Sequence, residues 1–176
     1  MLELGSNLEK FNLLNTVSGD DFSSSELDGK KPSLIMFICN HCPYVIHYHD
    51  EIKRLANDFD NTINMVAISS NDVEEYPQDG PDKMRELWVQ LGLSFPYLFD
   101  STQDVAKQYK AECTPEFYLF DSSQKLIYRG RLDESSPNSG FEPTGEDLRN
   151  AIENVLNNKD VNADQFPSMG CNIKWK

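Results

Sequence analysis

Two stretches of the chain are almost continuously apolar, Ser33-Leu34-Ile35-Met36-Phe37-Ile38 and Ile63-Asn64-Met65-Val66-Ala67-Ile68. A strand covered on both faces reads this way. Between them Val45, Tyr48 or His49, Ile52, Leu55 or Ala56, and Phe59 recur at helical spacing, which predicts a helix over 43–59. Upstream, 11–14 and 21–23 read as two short strands around the turn Ser18-Gly19-Asp20. Ser23-Ser24-Ser25-Glu26 then offers an N-cap and a carboxylate for a brief helix ending near Gly29.

Downstream, 71–81 is a polar loop, 82–91 a helix opening on an acidic residue, 95–100 a strand and 103–111 a helix. Two strands, 116–120 and 126–129, flank the turn Asp121-Ser122-Ser123-Gln124. The turn formers of 134–140 predict a mobile loop, and Leu148, Ile152 and Val155 put one apolar face on a helix over 145–157. Strand–helix alternation, then a hairpin and a closing helix, implies an α/β architecture: a central mixed β-sheet flanked by helices, with an N-terminal β-hairpin extension. The length of 176 residues fits one domain. Aromatic and aliphatic residues in the tail, 161–176, predict that it docks on that domain.

Charge narrows the function. A formal net charge of −13, with basic spots only at Lys30-Lys31 and Lys174-Trp175-Lys176, excludes a nucleic-acid surface, which needs clustered cations. No segment approaches the roughly 18 consecutive apolar residues of a membrane span. The start, Met1-Leu2-Glu3-Leu4-Gly5, lacks the basic and apolar regions of a secretory signal, so the expected location is the cytoplasm. Nothing in the residues calls for a cofactor.

Four cysteines stand at 39, 42, 113 and 171, two of them spaced Cys-x-x-Cys, which in a cytoplasmic chain points to redox chemistry or metal. Proline suits the first helical position, so Pro43 makes Cys42 the N-cap, where the free N–H groups of the first turn and the helix dipole favour a thiolate. With Cys39 as the cap, Pro43 would delete a helical hydrogen bond, so Cys42 is the expected nucleophile. Cys39 reads equally as a packed strand-end thiol or a second redox partner. Cys113, beside Thr114-Pro115, is a spectator or a resolving thiol, and Cys171 is an inert tail thiol or one that resolves Cys42 within the chain or across a homodimer.

At these motifs the chain resembles the peroxiredoxin-like branch of the alkyl hydroperoxide reductase and thiol-specific antioxidant (redoxin) family. The matching segments are FICNHCPYV from Phe37, FPYLFD from Phe95, CTPEFYLFD from Cys113, YRGRLD from Tyr128 and PSMGCNIKWK from Pro167. The resemblance implies a thioredoxin-like fold, a redox-active cysteine, an antioxidant role, and a cis Thr114–Pro115 bond beside Cys42. The departures are as informative. In the peroxiredoxin signature Pro-x-x-x-Thr-x-x-Cys, Ile35 stands at the proline and Cys39 at the threonine, and no arginine precedes Glu116. Arg129 or Arg131 are the nearest substitutes. Against thioredoxin, Val45 takes the place of the second cysteine and Met36 that of the buried acid, leaving His41 as the nearest base.

The expected function is thiol–disulfide exchange at Cys42, with a protein disulfide as substrate and a thiol reductant to reset it. Reduction of small hydroperoxides is the alternative within the class. A different class is copper or zinc binding, since all three histidines, His41, His47 and His49, lie in or just after the Cys39–Cys42 segment. Sco-like copper chaperones carry a related Cys-x-x-x-Cys-Pro site, one residue longer than this one.

Overall fold

The computed structural model describes residues 1–176. In chain order the strands are β1 (Asn12–Asn15), β2 (Asp21–Ser23), β3 (Ser33–Phe37), β4 (Asn64–Ser69), β5 (Tyr97–Phe99), β6 (Cys113–Thr114), β7 (Glu116–Phe120), β8 (Leu126–Gly130) and β9 (Cys171–Asn172). The α-helices are α1 (Pro43–His47), α2 (His49–Asp58), α3 (Pro81–Leu91), α4 (Asp104–Gln108) and α5 (Glu146–Leu156). Seven strands form one mixed sheet in the order β2-β1-β5-β4-β3-β7-β8, while β6 and β9 pair separately. The predicted N-terminal hairpin is β1–β2, joined to the sheet edge through β1 and β5.

β3 lies at the centre, parallel to β4 and antiparallel to β7. Its continuous apolar run follows from that position, because alternate side chains leave for opposite faces and both faces are covered. Leu34 and Met36 join a core with Val45, Ile52, Leu55, Trp88, Leu148 and Ile152 from the helices. Ile35 and Phe37 face a second core with Val105, Tyr109, Tyr118, Phe120 and the tail residue Ile173. Trp88 is nearly sealed, packs against Tyr97 with ring centroids 4.3 Å apart and tilted by 31°, and donates its indole N–H to the Phe95 carbonyl at 2.8 Å. Its polar edge is thereby satisfied inside the first core.

The predicted helix over 43–59 is two helices. At Tyr48 the N–H bonds back three residues to Val45, and the backbone stands at φ −95°, ψ 0°. The Tyr48 side chain is buried and its hydroxyl donates to the Ser135 carbonyl at 2.8 Å. That anchor holds Tyr48 inward with Val45 and Ile52, so the apolar spacing survives although the hydrogen-bond ladder does not. The predicted helix over 103–111 contracts to α4, because Gln103 and Lys110 at its ends are left-handed, at φ 65° and 50°. The 134–140 segment, expected to be mobile, is anchored at its start. Ser135 is buried, and its N–H and hydroxyl both donate to Asp133.

The chain after α5 returns along β8. Gln165 donates to Ile127 and accepts from Arg129 N–H, and Arg131 N–H donates to the Phe166 carbonyl. Gly130 makes this approach feasible, since a Cβ at its φ of 142° would lie 2.0 Å from the Phe166 oxygen. Gly130→Ala is therefore expected to cost about 2 kcal/mol or more of stability, read as a lower urea midpoint at unchanged slope. An unchanged midpoint would mean that the 162–166 segment does not pack here.

Candidate active site

β3 runs into the site. Ile38 N–H still pairs with Ile68 O, and the chain then turns through Cys39, Asn40 and His41 before α1 begins. Cys42 is the N-cap, with Pro43 at the first helical position and the Cys42 carbonyl accepting from Ile46 N–H at 3.0 Å. The Thr114–Pro115 bond is cis, and the Thr114 carbonyl accepts the Cys42 thiol at 3.2 Å. Cys39 Sγ lies 3.3 Å from the Thr114 hydroxyl.

The thiols of Cys39 and Cys171 both act on the Cys42 sulfur, and each favours its thiolate. The Cys39 thiol is the main influence holding the Cys42 pKa well below the ordinary thiol range, against a rise from burial; Cys171 and the N–H groups of Val45 and Cys171 lower it further. The same interaction, together with burial and the nearby Asp79 carboxylate, pushes Cys39 far above its ordinary value. Negative charge is thus concentrated on one sulfur of the pair. The expected helix dipole has little length to work with, because α1 is only five residues long. Cys171 is pushed up to about 11, by burial first and then by Cys42. Cys113 is pushed up to about 12, mainly by burial, and makes no hydrogen bond to Cys42.

Asp79 is the residue that sequence reasoning missed. It comes from a single 3-10 turn at Pro77–Asp79, and its carboxylate is fully buried. Four donors meet it: Asn40 N–H at 2.8 Å, His41 N–H at 3.3 Å, Asn71 Nδ2 at 2.8 Å and His41 Nδ1 at 2.6 Å. His41, expected as a base beside Cys42, is turned to Asp79 and stacks on Tyr76 at 5.4 Å. Only the polar, proline-bearing character of the 71–81 loop hinted at a role for it.

Cys39, His41 and Asp79 bring their ligand-type atoms within 4.8 Å of one another. The carboxylate is saturated by N–H donors and His41 Nδ1 is committed to it, so the group is a hydrogen-bonded cluster rather than an open donor set. His47 and His49 do not add to it. His47 Nε2 bonds Ser135 at 3.0 Å, and His49 Nε2 is buried without a partner, with burial lowering the pKa of that ring. The two arginines considered as peroxide ligands are bound elsewhere: Arg129 donates to the Met1 carbonyl, and Arg131 pairs with Asp147 at 2.6 Å and covers the Phe166 ring.

A thioredoxin-like fold that converges thiols on one sulfur beside a cis-proline defines a thiol-dependent redox protein. The family model for redoxins matches residues 3–146, and the chain belongs to the redoxin family. Two solved structures are similar over the whole chain. An uncharacterized conserved protein from Geobacillus kaustophilus is 47% identical, with a TM-score of 0.97 and 94% of its own chain covered. A hypothetical protein from Sinorhizobium meliloti is 38% identical, with a TM-score of 0.96 and 96% of its chain covered. A secreted Mycobacterium tuberculosis disulfide oxidoreductase homologous to E. coli DsbE shares the fold at 17% identity, with a TM-score of 0.63 over 81% of this chain and 94% of that one. No curated protein sequence matches.

Ultraviolet thiolate absorbance followed against pH tests the charge assignment. Cys42 is expected to titrate well below the ordinary thiol range. Its alkylation rate then stays level from neutral pH down to that midpoint and falls only below it. Cys39→Ala is expected to raise the midpoint by about one pH unit or more. An ordinary midpoint in the unaltered chain would overturn the assignment.

Proposed function

We propose that the protein is a thiol–disulfide oxidoreductase in which Cys42 is the nucleophile and Cys171 the resolving thiol. The observation that carries this reading is geometric: β9 pairs Cys171 with Thr114, whose carbonyl accepts the Cys42 thiol at 3.2 Å. The Cys42 thiolate attacks one sulfur of a substrate disulfide, forming a mixed disulfide as the substrate S–S bond breaks. The leaving thiolate takes up a proton. Cys171 then loses its proton and attacks the Cys42 sulfur, releasing the second substrate thiol and leaving a Cys42–Cys171 disulfide. An external thiol reductant returns both cysteines to thiols.

Cys171 is favoured over Cys39 by access, since it is partly exposed on the tail whereas Cys39 is sealed at 1%. Cys39 serves the other need, favouring the thiolate of Cys42. The substrate class is a disulfide, carried on a protein or on a small molecule, and the working place is the cytoplasm. Disulfide exchange is favoured over peroxide reduction because the peroxide-holding groups are missing: Cys39 stands at the hydroxyl position, and both candidate arginines are held elsewhere. Loss of one preorganised donor typically costs about 100- to 1000-fold in rate.

Cys42→Ser is expected to abolish reduction of a model disulfide. Cys171→Ser is expected to slow turnover about tenfold or more and to accumulate the mixed disulfide, visible as an added mass on Cys42. Accumulation in Cys39→Ser instead would transfer the resolving role to Cys39. Stopped-flow oxidation by hydrogen peroxide is expected to be slow, and a second-order constant of about 10⁷ per molar per second or above would make peroxide the substrate.

A further inference from the structure

In the reduced protein Cys42 has no exposed surface at all. The tail contributes directly to that covering. β9 lies antiparallel on β6, pairing Asn172 with Cys113 and Cys171 with Thr114, and so brings Cys171 to the residue whose carbonyl accepts the Cys42 thiol. The residue before it, Gly170, lies flush on the loop, since a Cβ there would stand 2.0 Å from the Thr114 oxygen. A nucleophile under its own C-terminal strand is reached by a large substrate only when that strand lifts.

The attachments of the strand are few. Ile173 is buried in the second core and donates its N–H to Glu112 O at 3.1 Å. Beyond it, two side-chain amides grip the main chain. Asn71 Oδ1 accepts Lys174 N–H at 2.9 Å. Gln103, 2% exposed and held at φ 65°, donates from Nε2 to the Lys174 carbonyl at 2.8 Å and accepts Lys176 N–H at Oε1 at 3.0 Å. Asp72 N–H adds a further bond to Lys174 O at 2.8 Å. Behind β9 the chain has no helix or strand between α5 and Gly170, and its bonds to β8 end at Phe166, leaving 167–170 as the hinge. A chain end held by a two-residue ladder, one buried side chain and a handful of bonds to the 71–72 and 101–103 segments lies toward the low-stability end of a fold.

We propose that β9 is a gate that sets which disulfides reach Cys42, and that Gln103 and Asn71 are the positioning residues that hold it shut. The proposal rests on the reading of Cys42 as the nucleophile. Closed, the gate admits small disulfides that slip past a fluctuating strand edge. Open, it frees the β6 edge and Cys42 for a disulfide on a folded protein. Neither amide touches a thiol, and any change in Cys42 ionisation caused by lifting Cys171 acts on small and bulky reagents alike, so the ratio of their rates reports access alone. Gln103 is the cleaner test, because Asn71 also donates to Asp79.

The experiment compares modification of Cys42 by iodoacetamide and by a maleimide on a long polyethylene glycol chain, with the modified residue identified by mass spectrometry. In Gln103→Ala the rate with the bulky reagent is expected to rise about tenfold or more relative to iodoacetamide. An equal change with both reagents, or none, overturns the gate. Native-state hydrogen exchange on the unaltered chain gives a measurement independent of any variant. The amides of Ile173 and Lys174 are expected to exchange at least about tenfold faster than that of Ile38 at the end of β3. Equal protection would mean that the strand leaves only with global unfolding, which overturns the gate. Failure of the functional reading shows differently: fast labelling would persist in Cys42→Ser, at another thiol.

Discussion

A carboxylate taken out of water must be met by donors, and the arrangement of this site follows from how Asp79 meets that condition. Two of its donors are main-chain N–H groups of the Cys39–Cys42 turn, at Asn40 and His41. The carboxylate thereby fixes the backbone that presents Cys42 to α1. A third donor is His41 Nδ1 and the fourth is Asn71, whose other amide atom accepts from the tail at Lys174. One buried charge therefore ties together the end of the central strand, the 71–80 loop and the C-terminal strand. Removing it would leave those donors buried without an acceptor, so its absence would be felt in all three segments.

Within this frame the electrostatics of the thiols are short-ranged. A helix of five residues has a weak dipole to offer, whereas a neighbouring thiol acts at short range in a buried site. Cys39 thus does for Cys42 what a long helix was expected to do. It also explains why two cysteines of one Cys-x-x-Cys segment carry opposite tendencies, one toward the thiolate and one away from it. Asp79 sharpens the difference, since its charge raises Cys39.

The tail gives the site its particular character. β9 and the four residues after it supply a thiol, a cover and two main-chain grips, and each depends on the others. Gly170 permits the close approach, Cys171 pairs with Thr114 beside Cys42, and Ile173 buries its side chain in the second core. With Met36 where thioredoxin has its buried acid, the only fully buried carboxylate bonded to the active turn comes from another loop.

Much was legible in the residues alone. The apolar run of β3 announced a strand covered on both sides, and Pro43 placed Cys42 at a helix start, because these depend on backbone chemistry and neighbours only a few residues away. The hairpins and the order of elements followed from the same local patterns. The break at Tyr48 was not legible, since it answers to a carbonyl 87 residues away in sequence. Asp79 looked like one more acidic residue in a polar loop, Asn71 like the start of that loop and Gln103 like the first residue of a helix. Their roles arise from partners 38, 73 and 103 positions distant, at His41, Lys176 and Lys174. Sequence determined which atoms can ionise, donate or start a helix; burial and long-range hydrogen bonding, which exist only once the chain has folded, decided which sulfur carries the charge and what covers it.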